Sequence, residues 1–128
     1  MATGARILVA EDNEALQSLV KRAFEREGYV VVSALTAAEM MAEIAREKPD
    51  VIVLDVGLPD GDGRDLLAAL KKASRTRSIP VVIWSGRETE SDRRIALELG
   101  AEDYLEKGPA SELVGKIERV LLRVRRDP

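Results

Sequence analysis

Short runs of consecutive apolar residues alternate along the chain with longer segments whose apolar positions recur every three or four residues. Residues 7–10 form the first run, a short apolar stretch of strand character. Leu16, Leu19, Val20, Ala23 and Phe24 follow at the spacing of one helix face, and Gly28 marks its stop. A strand over 29–32 leads into Thr36-Ala37-Ala38-Glu39, a capping-box pattern that opens a helix ending before Lys48-Pro49. The run 51–54 is apolar throughout, and a Gly/Pro/Asp-rich loop over 57–63 feeds a helix carrying Leu66, Leu67 and Leu70. Pro80 introduces a strand over 81–84, followed by a helix near 90–99 that Gly100 ends. A weaker strand over 103–106 is centred on Tyr104-Leu105. Gly108-Pro109 then opens a last helix whose inward face is Leu113, Ile117, Val120, Leu121 and Val124.

Five strand–helix alternations with short connections predict an α/β fold: one doubly wound, five-stranded parallel sheet with helices on both faces. Ligands of such a sheet sit beyond the carboxyl ends of its strands. At 128 residues the chain is read as one domain spanning 1–128, and 45% apolar content suffices for a core. The net charge of −3, with basic clusters at Arg93-Arg94 and at 123–126 that are broken by acids or confined to one end, argues against DNA binding by this domain. With no cysteine and no histidine, thiol redox chemistry, the usual zinc sites and Ser-His or Cys-His pairs are excluded, so a metal site must be built from oxygens. The N-terminus has no basic segment followed by a long apolar stretch, and the apolar runs are too short to span a bilayer; a cytoplasmic protein without membrane contact is expected.

The expected carboxyl ends of the strands carry charge: Glu11 and Asp12 after the first, Asp55 after the third, Lys107 after the fifth. Carboxylates gathered in one crevice repel, and such a group calls for a bound divalent cation, an ammonium partner, or both. Lys107 is the candidate partner.

These residues, with Leu58-Pro59 and Asp62-Gly63 in the loop, Ser85-Gly86 after the fourth strand and Tyr104 on the fifth, resemble the response-regulator receiver domain of two-component signalling over essentially the whole chain. The resemblance implies a CheY-like (βα)5 fold with flavodoxin-like strand order 2-1-3-4-5. It implies that Asp55 takes a phosphoryl group from a phosphohistidine on a sensor kinase or phosphotransfer protein, so that the chain is a signalling phosphoacceptor rather than a conventional enzyme. It assigns Mg2+ to Glu11, Asp12, Asp55 and the backbone carbonyl of Gly57, an oxygen set suited to a hard octahedral ion. Lys107 and Ser85 would contact the phosphoryl group, Ser85 and Tyr104 would form the switch, and Gly57 and Arg87 would tune phosphoryl lifetime. The output would be a protein-binding surface on the fourth helix, fifth strand and fifth helix, presented to a downstream target or output domain or to a second copy on phosphorylation.

Two positions depart from the family pattern. Lys107-Gly108-Pro109 separates the lysine from the proline that usually follows it directly, and Trp84-Ser85-Gly86 sets a bulky indole before the switch hydroxyl. Taken alone, Tyr104 also fits an aromatic packed under the last helix with its hydroxyl in water, and Leu97 fits a solitary exposed leucine better than a partner contact. A haloacid-dehalogenase-type phosphatase would need a second aspartate two residues after Asp55, where Gly57 stands. Flavin binding would want backbone N–H groups where this chain offers carboxylates. A receiver used only for phosphorylation-independent docking or dimerisation would not need the full set of acidic, hydroxyl and lysine positions. The sequence is equally compatible with a stand-alone regulator and with the receiver part of a larger one.

Overall fold

The computed structural model describes residues 4–86 and 90–126. Strands β1 (Arg6–Ala10), β2 (Val30–Ala34), β3 (Val51–Leu54), β4 (Val81–Ser85) and β5 (Asp103–Glu106) form one parallel sheet in the spatial order β2-β1-β3-β4-β5. Between them run helices α1 (Glu14–Arg26), α2 (Ala37–Arg46), α3 (Gly63–Lys72), α4 (Glu90–Glu98) and, last, α5 (Ala110–Arg126).

Side chains on a strand alternate between faces, and the alternation here splits the core in two. Leu8, Ile52, Leu54 and Ile83 face one way, onto Met40 of α2, Leu67 and Leu70 of α3 and Ala96 of α4. Ile7, Val9, Val53, Val82 and Trp84 face the other way, onto Val20 and Phe24 of α1 and Leu113, Ile117 and Val120 of α5. Burial on both faces is why the central strands read as unbroken apolar runs. The strand order reverses between β1 and β3, and there Ala10 pairs with Leu54. Each is the last residue of its strand, so the charged residues that follow them emerge side by side.

The helix ends follow local chemistry. The Asn13 side chain accepts from Leu16 N at 2.9 Å, Thr36 Oγ1 from Glu39 N at 3.0 Å and Asp62 Oδ1 from Arg64 N at 2.8 Å, each satisfying an N–H that the first turn leaves open. Beyond α1 and α4 the chain turns at Gly28 and Gly100, with φ of 90° and 110°, a region only glycine enters without strain.

Four expectations change. The second strand runs over Val30–Ala34 instead of 29–32, because pairing with β1 continues until Ala34 O accepts from Glu11 N at 2.9 Å; Tyr29 instead packs edge-to-face on Phe24. Leu19 is 53% exposed, and the inward position of α1 belongs to Gln17. The loop over 57–63 contains a two-rung antiparallel ladder, Gly57 with Asp62 and Leu58 with Gly61. Tyr104 packs on the α2–α4 side of the sheet, not under the last helix, because β5 alternation places it beside Ile83. Leu97 is exposed on the outer side of α4. Among the described residues no helix is long and apolar enough to cross a membrane.

Asp103 on β5 joins α4 to α5: Lys116 Nζ lies 2.7 Å from Oδ2 and Arg93 3.5 Å from Oδ1. Burial pushes its carboxyl up, but the Lys116 hydrogen bond, the Tyr104 N–H and the two cations outweigh it and hold the carboxyl below its ordinary value. A carboxylate depressed in the folded state stabilises it above the unfolded value of about 3.9, and that contribution is lost as pH falls through the lower folded value. Asp103→Asn is therefore expected to lower the thermal midpoint at neutral pH, with the gap from wild type closing below about pH 4. A gap independent of pH would contradict this. A Cβ at Gly63 would lie 2.4 Å from Val56 Cα, so Gly63→Ala is expected to destabilise the fold by about 1–3 kcal/mol in denaturant titrations. An unchanged midpoint would show that the loop relaxes freely.

Candidate functional site

Because Ala10 and Leu54 are paired, Glu11, Asp12 and Asp55 leave the sheet together, and each offers a carboxylate oxygen within 4.8 Å of the others. Glu11 and Asp55 are buried while Asp12 is exposed, so the group opens to solvent on one side. Lys107, following β5, extends its ammonium into the group, where Nζ contacts Glu11 Oε1 and lies 3.4 Å from Asp55 Oδ2. Burial pushes the Lys107 ammonium down, but the Glu11 hydrogen bond and the Asp55 and Glu11 charges outweigh it, so its proton is held more tightly than usual. Its backbone N–H donates to Ser85 O at 2.7 Å, tying the ends of β5 and β4 together.

The carboxylates are also fixed by the backbone. Glu11 Oε2 accepts from Asn13 N at 3.0 Å and Asp55 Oδ1 from Gly57 N at 3.1 Å, leaving Asp55 Oδ2 toward Lys107. Gly57 is exposed, and a Cβ there would meet only Asp55 Oδ1, at 3.9 Å, so the position leaves the approach to Asp55 open. Ser85 is buried at the end of β4. Together with Tyr104, Val56, Asp62, Asp92 and Ala96 it lines a cavity of about 60 Å³ beneath α4. Arg87 lies outside the described residues.

Two residues around the site, Gln17 and Asp60, escaped the sequence reading, and a third, Trp84, was singled out there only as the bulky residue before Ser85. Gln17 donates its amide to Val9 O, Glu11 O and Ala34 O at 2.8, 3.0 and 3.1 Å, pinning the turn that carries Glu11 and Asp12. A polar residue at 17, in step with Val20 and Phe24 at the i, i+3, i+7 spacing, was the available signal. Asp60, in the loop after β3, accepts from Ala37 N at 2.6 Å and Ala38 N at 3.0 Å, so this loop is anchored to the N-terminus of α2. Those two N–H groups hold the Asp60 carboxyl below its ordinary value. Trp84 lies under Lys107, with Nζ 5.5 Å from the ring centroid.

An oxygen-only donor set of three carboxylates fits a hard divalent cation better than a soft metal. The same crevice brings carboxylates and an ammonium into one small volume, a charge arrangement able to hold a cation beside a nucleophilic carboxylate.

A family model described as the response regulator receiver domain matches residues 7–118. The KDP operon transcriptional regulatory protein KdpE of Escherichia coli is 42% identical over 101 residues, covering 79% of this chain and 44% of that protein. The phosphate regulon transcriptional regulatory protein PhoB of the same organism is 40% identical over 121 residues, covering 93% of this chain and 52% of that protein. The chain thus spans about half the length of these curated relatives. The crystal structure of a CheY-like receiver domain protein from Methanospirillum hungatei superposes with a TM-score of 0.89 at 28% identity, covering 98% of this chain and all of that one. Matching family model, relatives and fold agree with the strand-end constellation, and the chain belongs to the response regulator receiver domain family.

Proposed function

We propose that Asp55 accepts a phosphoryl group from a phosphohistidine on a kinase or phosphotransfer protein, and that the modification alters the surface formed by α4, β5 and α5. The observation that supports this most directly is the placement of Asp55: its Oδ1 is held by Gly57 N–H, its Oδ2 faces Lys107 at 3.4 Å, and Glu11 and Asp12 stand within 4.8 Å. A carboxylate approaching a phosphoryl group meets like charge, so the barrier is lowered chiefly by positioning and neutralisation. Mg2+, held by Glu11, Asp12, Asp55 and the Gly57 carbonyl, would supply neutralising charge when bound. Lys107 would supply the rest as a compact cation on a phosphoryl oxygen, and the Ser85 hydroxyl would donate to another.

Ser85 and Tyr104 line the same cavity, which gives the switch a physical route. A Ser85 hydroxyl drawn toward the phosphoryl group would change the space beside the Tyr104 ring, and the ring, already against α4, would carry the change to the surface. The face is mixed in charge, with Arg93, Arg94, Glu90 and Glu98 around the exposed Leu97, as suits a protein partner better than nucleic acid. Relatives about twice as long that are named transcriptional regulatory proteins favour an output domain that regulates transcription as that partner.

Intact mass after incubation with magnesium and acetyl phosphate tests the reading. One phosphoryl adduct is expected on wild type, and none on Asp55→Asn or without magnesium; an adduct that persists on Asp55→Asn would remove Asp55 from its role. Ser85→Ala is expected to retain the adduct but to lose most of the accompanying amide chemical-shift changes at Tyr104 and along α4. Equal shifts in both proteins would contradict the coupling.

A further inference from the structure

We infer that Trp84 is the residue that aims Lys107 at Asp55, its indole face serving as a fixed cradle for the ammonium. The inference deepens the phosphoacceptor reading, on which its kinetic arm rests. Trp84 is 1% exposed and set by alternation on the face opposite Ser85, among Leu113, Ile117 and the other side chains beneath α5. Among the described residues its buried Nε1 meets no hydrogen-bond partner, and the ring is held by packing. Lys107 Nζ lies 5.5 Å from the ring centroid, inside the range over which an ammonium is attracted to an aromatic face.

The sequence around Lys107 gives this contact its importance. Glycine follows the lysine, and a Cβ at Gly108 would approach nothing closer than Glu112 Oε1 at 3.4 Å, so neither ring nor crowding stiffens the loop there. Beyond its backbone bond to Ser85, the direction of Lys107 is set by Glu11, Asp55 and the indole. Both carboxylates change charge or partner when a cation or a phosphoryl group arrives. The indole does not, and it is the constant element that keeps the ammonium over the site throughout.

The geometric arm needs no phosphodonor. The Lys107 ε-methylene protons are expected to resonate upfield from the indole ring current, to move partway back in Trp84→Phe and most of the way in Trp84→Leu. Shifts identical in all three would overturn the inference. In the kinetic arm, with acetyl phosphate and magnesium, Trp84→Leu is expected to slow Asp55 modification about five- to tenfold, with Trp84→Phe between it and wild type. In a Lys107→Ala background Trp84→Leu should cost nothing further, since it acts through the lysine. The same fold-loss in both backgrounds would make Trp84 a core residue only. Should Trp84→Leu fail to melt cooperatively, Trp84→Phe carries both arms. A wild type that takes no phosphoryl group would refute the phosphoacceptor reading and leave the resonance test standing.

Discussion

Three carboxylates share one small crevice, and Lys107 sets an ammonium among them. Two like charges 4 Å apart repel by ~4 kcal/mol where the effective dielectric constant is about 20, enough to drive exposed side chains apart. Glu11 and Asp55 cannot move apart: each follows the last residue of a buried strand, and the two strands are paired. Lys107 answers this constraint from the end of β5, in contact with both buried carboxylates. The repulsion is thus held by the fold and offset by one ammonium, leaving a site that favours added positive charge.

The surrounding structure serves that arrangement. Gln17 binds three carbonyls at the ends of β1 and β2 and fixes the turn that carries Glu11 and Asp12. Asp60 anchors the loop after β3 to α2, and Gly63 allows that loop to lie against Val56, which any side chain would prevent. On the other flank the bond from Lys107 N to Ser85 O joins the lysine to the end of β4, where Ser85 stands. Ser85 and Tyr104 border one cavity beneath α4.

Much of this was legible in the residues. The apolar runs located the strands because both faces of each central strand are buried, and the charged residues after them located the site because a parallel sheet gathers its carboxyl ends. What escaped depended on contacts distant in sequence. Gln17 breaks an apolar stripe, and only the fold shows three carbonyls waiting for its amide. Asp60 reads as one more loop acid until α2 is seen beginning beside it. The limits of β2 follow from pairing with β1, which its own residues do not announce. Tyr104 is placed by strand alternation beside Ile83, which the short fifth strand signals weakly.

If Lys107 is the internal counter-ion, it competes with a divalent cation for Glu11 and Asp55. The most direct test is magnesium titration of wild type and Lys107→Met by calorimetry, at a pH where the carboxylates are ionised. The account predicts one site in each protein and tighter binding in Lys107→Met, because the competing ammonium is gone while the three carboxylates remain. Binding that is unchanged or weaker without the lysine would contradict the claim that Lys107 balances the acidic group.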